Sequence, residues 1–85
     1  MNISKHEQRV LHELALGGFI HHERLESGKI HTITCYTRNG HVLEDCTLKV
    51  FKRLLKRRFI QSKSGRPYRA TASGIKSVRA QMNQR

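Results

Sequence analysis

Acidic residues are scarce in this sequence: six Asp and Glu stand against 17 Lys and Arg in 85 residues, for a formal charge of +11. Self-repulsion at that charge opposes compactness, so the excess points to a use. Three kinds of partner carry the opposite sign: nucleic acid, an anionic membrane, or an acidic protein surface. The same scarcity thins the catalytic options. Glu44-Asp45 is the one adjacent acidic pair, and its expected role is to cap the helix that follows. Nothing supplies the paired carboxylates, or the nucleophile with its base, that an active site requires. The chain therefore reads as a binding protein and not an enzyme, with no small-molecule substrate.

Cysteine is equally sparse. Cys35 and Cys46 are separated by ten residues and neither belongs to a Cys-x-x-Cys unit, which argues against a zinc site. They could close one disulfide, but two reduced, packed thiols are favoured because nothing points to export. A lowered thiol pKa at Cys46, among basic residues, is the reactive alternative to a packed one. The six histidines do not assemble a ligand set. His21 and His22 would point to opposite faces of a strand, and His6 and His12 are poorly spaced for one helical face. No metal and no cofactor are expected. There is no glycine-rich phosphate loop: Gly17-Gly18 reads as a helix stop and Gly65 as a turn. No apolar run approaches the ~20 residues that span a bilayer, and Met1 to Lys5 lacks the apolar region of a signal peptide. The expected location is cytoplasmic, without membrane association.

A chain of this length makes one domain, residues 1–85, whose small core leaves little room for a deep cleft. Ser4-Lys5-His6-Glu7 has the form of a capping box, and Val10, Leu11 and Leu14 follow at helical spacing, which predicts a helix over about 4–16 ended by Gly17-Gly18. From Phe19 to Leu43 β-branched and aromatic residues dominate. Strands are expected near 19–25 and 30–37 around the turn Glu26-Ser27-Gly28-Lys29. Asn39-Gly40 gives a further hairpin signal, with a short third strand near 41–44. Asp45 or Thr47 would cap a second helix over about 47–58. Two short strands, Phe59–Lys63 and Tyr68–Ala70, follow around Ser64–Pro67. Thr71 then caps a last helix with Ile75, Val78 and Met82 in a stripe, and residues 82–85 are expected to fray.

The second helix carries the most information. Leu48, Val50, Phe51, Leu54 and Leu55 fall on one face and Lys49, Lys52, Arg53, Lys56 and Arg57 on the other. Solvated faces usually mix signs, whereas five cations without an anion point to binding. A basic amphipathic helix can also lie on a membrane, but here the apolar face is needed for the core. Lys63, Arg66 and Arg69 extend the positive set onto the following hairpin. The fold class is α+β, winged helix-turn-helix-like, ordered helix, β-hairpin, helix, β-wing hairpin, helix. A β-hairpin stands where the positioning helix of a DNA-binding winged helix belongs. This departs from ordinary operator binding.

Met1-Asn2-Ile3-Ser4 with Glu7-Gln8-Arg9, the segment Asp45 to Lys52, and Pro67-Tyr68-Arg69 with Val78-Arg79-Ala80-Gln81 resemble the YjhX family of small basic bacterial proteins. The resemblance spans nearly the whole chain, central hairpin included. It implies the toxin of a toxin–antitoxin pair, with DNA topoisomerase I as the inhibited target and the product of a neighbouring gene as the antitoxin. It supplies no catalytic residue. The residues expected to meet a partner or nucleic acid are Lys49, Lys52, Arg53, Lys56, Arg57, Lys63, Arg66 and Arg69. The alternatives are a winged-helix transcriptional regulator that places those cations on DNA, and an RNA- or ribosome-associated binder, since charge alone does not separate RNA from DNA.

Overall fold

A computed structural model describes residues 3–83, with side chains described for residues 3–80. Its first element, α1 (Lys5–Ala15), starts where Ser4 takes the Glu7 amide proton on its hydroxyl at 3.2 Å. It buries Val10, Leu11 and Leu14. It stops at Gly17, whose φ of +115° is closed to most side chains. Gly18 then donates its amide to the Glu13 carbonyl at 3.0 Å.

The chain turns back into β1 (Phe19–Arg24) and β2 (Ile30–Tyr36), an antiparallel pair with Ile20 opposite Cys35, both buried, and an irregularity at Glu23–Arg24. The expected third strand shrinks to one bridge between Tyr36 and Val42. Asn39-Gly40 makes the tight turn that allows it, with Thr37 donating to the His41 carbonyl at 2.7 Å. The chain then leaves toward the next helix, so pairing ends after the Leu43 amide reaches the Cys35 carbonyl at 2.8 Å.

Helix α2 (Leu48–Lys56) is capped by the Thr47 hydroxyl, which accepts from the Val50 amide at 3.3 Å. The expectation that Asp45 and its neighbour Glu44 form this cap is corrected: Asp45 faces α1 instead, 3.5 Å from His6 and 3.7 Å from Arg9. The helix ends in a Schellman closure, Phe59 amide to Leu54 carbonyl and Arg58 amide to Leu55 carbonyl, both 3.0 Å. Arg58 takes the left-handed position usually given to glycine, at φ 60°.

Two short strands follow, β3 (Ile60–Gln61) and β4 (Arg69–Ala70), paired antiparallel. They are shorter than expected because the Ser62 hydroxyl bonds the Arg66 carbonyl at 2.5 Å and pulls residues 62–66 into a turn. Just before β4, Tyr68 exchanges both backbone hydrogen bonds with Ile20, at 2.8 and 2.9 Å, and so links this hairpin to β1. Thr71 caps α3 (Ala72–Asn83) by accepting from the Gly74 amide at 3.1 Å. Residues 82 and 83, expected to fray, continue α3 instead; the rest of that expectation, residues 84 and 85, and the side chain of Met82 lie outside the described residues.

The architecture is α+β, with three helices and two small antiparallel sheets among the described residues. α1 packs against α2 and α3. The core joins Val10, Leu11, Ile20, Phe51, Leu54, Ile60, Tyr68 and Val78. Phe51 and Tyr68 meet edge to face with centroids 5.0 Å apart, a favoured aromatic geometry.

Candidate partner-binding surface

Only part of the apolar face predicted for α2 is interior. Val50, Phe51 and Leu54 are buried, whereas Leu48 and Leu55 are each 38% exposed. A nine-residue helix on a small core covers a limited arc. Leu48 and Leu55 stand on the rim of that arc, two turns apart and beside Lys52.

The five cations of this segment divide into two groups. Lys49, Lys52 and Lys56 project into solvent, and none has an ion-pair partner among the described residues. Arg53 and Arg57 turn the other way, toward Glu7 on α1. An Arg53 guanidinium nitrogen lies 3.5 Å from Glu7 Oε1 and Arg57 Nε lies 3.7 Å from Oε2. Glu7 is 1% exposed and also receives the Ser4 hydroxyl proton on Oε1 at 3.1 Å. Its Oε2 has no hydrogen-bond partner, so Arg57 meets it by charge alone. Burying a carboxylate is costly unless opposite charge is close. The two arginines supply that charge, and they fix α2 against α1.

Sequence reasoning saw Glu7 as a capping residue and missed its place in the interior. The signal was present. Glu7, Val10, Leu11 and Leu14 share one i, i+3, i+4, i+7 stripe, so an acid stands in the apolar row of α1. The acid-free helix α2 is the source of its counter-charges.

The remaining predicted cations come together on the second hairpin. Lys63, Arg66 and Arg69 line one open concavity of about 280 Å³ with Gln61, Pro67 and Ala70. The Arg69 guanidinium sits 5.6 Å from the centre of the Phe19 ring, a cation–π distance that holds it near the sheet. Nothing in this concavity is acidic.

Other polar groups are placed by the interior. Cys35 and Cys46 are both free and buried. The core brings them together, although they lie on separate segments. The Cys46 thiol is hydrogen-bonded to Cys35 and buried, and both effects push its pKa well above the ordinary thiol range. A thiol held protonated is a poor nucleophile. His22 lies edge-on to Tyr68 with centroids 5.0 Å apart. Burial, then the charges of Arg24 and His21, lower its pKa below the usual 6.5. Among the described residues no three or more His, Cys, Asp or Glu side chains converge as a metal site would require, and no helix is long and apolar enough to cross a membrane.

The class is a small, strongly basic α+β protein whose exposed cations are spread over its surface, with Lys49, Lys52 and Lys56 together on α2 and Lys63, Arg66 and Arg69 together on the second hairpin. The family model described as "Putative toxin of bacterial toxin-antitoxin pair" matches residues 1–85, and the chain belongs to that family, the YjhX toxins. Full-length relatives, each called a UPF0386 protein, occur in Parvibaculum lavamentivorans at 59% identity, in Aliivibrio fischeri at 56% and in Beijerinckia indica at 54%. In all three the match covers 100% of both chains. No solved structure matches the chain. Membership in a toxin–antitoxin family implies an antitoxin as a partner.

Proposed function

We propose that this protein is a non-enzymatic, inhibitory toxin, acting in the cytoplasm as a single winged-helix-like domain that binds an acidic target surface through α2 and the second hairpin. The target class is DNA topoisomerase I, as the family resemblance implies. The observation that carries the reading is the set of three lysines, Lys49, Lys52 and Lys56, exposed on α2 without a carboxylate partner. Surface charge of one sign, left uncompensated, steers association with the opposite sign. An enzyme that grips DNA holds an acidic ligand in its channel, so the lysines can compete at that site in two ways. They can seat on acidic residues bordering the channel, or they can hold the DNA within it.

The winged-helix reading is supported by the order of α2, β3, β4 and α3 and by the Ile20–Tyr68 backbone bridge that joins the wing to the central hairpin. Its departure is equally concrete. β2 and the loop after it fill the stretch where a positioning helix would brace α2 on a DNA backbone. Duplex binding by this domain is accordingly weak and insensitive to sequence, and it falls steeply with salt because releasing counterions from the phosphates gains less as the salt concentration rises.

The second reading, a winged-helix transcriptional regulator, is favoured by the wing concavity, where Lys63, Arg66 and Arg69 converge as phosphate-contacting side chains do. A pull-down from bacterial lysate, with and without nuclease, separates the two. A topoisomerase retained after nuclease treatment supports the inhibitor. Loss of every partner with the nucleic acid, together with tight sequence-selective binding to duplex DNA at physiological salt, supports the regulator and overturns the inhibitor.

A further inference from the structure

The exposed face of α2 is not purely basic, and phosphate contact explains only its lysines. Leu48 and Leu55 are each 38% exposed on a helix whose other apolar residues are buried. They are seven residues apart, which puts them on one line along the helix about 10 Å from each other. At about 100° per residue, Lys52 lies within roughly 40–60° of both, with Lys56 and Lys49 next around the helix. The surface is thus an apolar line with three cations along one side. Nucleic acid backbones present nothing apolar at that spacing. A bilayer takes up an apolar face wider than two rim leucines. A second α-helix fits both features: side chains two turns apart repeat at the same interval along its own axis, and its flanking carboxylates would reach the lysines.

We propose that the Leu48–Leu55 line with Lys49, Lys52 and Lys56 is a docking face for an acidic amphipathic helix of a protein partner. This rests on the reading of α2 as the binding element and deepens it by naming the partner chemistry. Apolar contact along the leucines supplies affinity, and the carboxylate–lysine contacts set orientation and exclude basic helices.

The test uses the full chain and a labelled synthetic helical peptide with leucines at i, i+3, i+4 and i+7 and glutamates on both flanks. A second peptide carries lysine in place of every glutamate. Fluorescence anisotropy should show binding of the acidic peptide and not of the basic one. Replacing both leucines, Leu48→Gln with Leu55→Gln, should weaken the acidic peptide roughly tenfold or more, from the apolar area no longer covered. Duplex DNA affinity and the thermal melt should match the parent. Leu55→Ala alone should give a smaller loss in the same direction, which keeps the test open if the double variant melts early. Lys52→Glu with Lys56→Glu should lose both the acidic peptide and DNA.

Equal affinity of parent and leucine variants for the acidic peptide overturns the proposal, as does failure of that peptide to bind the parent. Capture of the parent but not the leucine variants by phosphatidylglycerol vesicles, with no peptide binding, assigns the face to a membrane and overturns it as well. These failures leave the inhibitor reading standing. That reading falls instead if the lysine reversals leave topoisomerase inhibition unchanged.

Discussion

Glu7→Gln is the perturbation that best probes how this domain holds its charge. The substitution keeps the volume of a side chain that is 1% exposed and keeps an oxygen for the Ser4 hydroxyl now bonded at 3.1 Å. It removes the negative charge lying 3.5 Å from Arg53 and 3.7 Å from Arg57. Removing one member of a fully buried ion pair costs about 3–5 kcal/mol, because the survivor is stranded. Here the arginine side chains retain 51% and 24% of their exposure and can rehydrate, so screening reduces the figure to about 1–2 kcal/mol. At ~4–8 °C per kcal/mol for a domain of this size, the melting temperature should fall by roughly 5–15 °C. Binding should move the other way. Two arginines released from α1 join three lysines, so affinity for duplex DNA should rise and its salt dependence should steepen. Circular dichroism melts and DNA titrations at several salt concentrations measure both effects. A Glu7→Gln protein that melts with the parent would refute the claim that this ion network fastens α2 to α1. Lower DNA affinity in a folded variant would refute the claim that Glu7 holds the arginines back.

Three further outcomes follow from the same packing. Phe51→Ala should cost about 3–5 kcal/mol, as truncation of a fully buried aromatic does, and chemical denaturation should show a large part of the domain's stability gone. Replacing Cys35 and Cys46 together with Ala should lower the melting temperature modestly through lost packing and leave DNA affinity unchanged; stoichiometric metal in the gently purified parent, lost on either substitution, would contradict this. His22 has a folded-state pKa below 6.5, so the unfolded chain binds the proton more readily. The stability this contributes is complete above pH 6.5 and declines as the pH drops through 6.5 toward the folded value. Melts at a series of pH values should show that decline, and His22→Gln should remove its share of it.

The element order was legible because each boundary has a local cause. Ser4 and Thr71 announce their helices through a hydroxyl and a free amide three residues on. Gly17 ends α1 at a backbone angle that most residues avoid, and the alternation around Ile20 and Cys35 marks the hairpin. Periodicity failed where tertiary geometry decides. It placed Leu48 and Leu55 inside because they lie near the arc of Phe51, but the core is too small to cover the rim of α2. It gave α2 five equivalent cations because a helical wheel cannot see a carboxylate on another helix, and Glu7 takes two of them. Lys63, Arg66 and Arg69 could be named from the sequence as a basic hairpin. Their convergence on one concavity depends on the turn that Ser62 and Arg66 close. The meeting of Cys35 and Cys46 had no sequence signal, since it depends on how the loop after β2 returns to the core.

The central claim is that the exposed lysines of α2 carry the activity, and the double charge reversal Lys52→Glu with Lys56→Glu tests it most directly. Both side chains are exposed, and exposed substitutions usually change stability within about 0.5 kcal/mol, so the variant should melt with the parent or slightly above it. In a supercoil-relaxation assay with DNA topoisomerase I, the parent should inhibit and the folded variant should not, because two anions would stand where acidic groups must approach. A folded double reversal that inhibits as well as the parent would contradict the account, leaving α2 as a solvated surface and placing the activity elsewhere, with the central hairpin the first segment to examine.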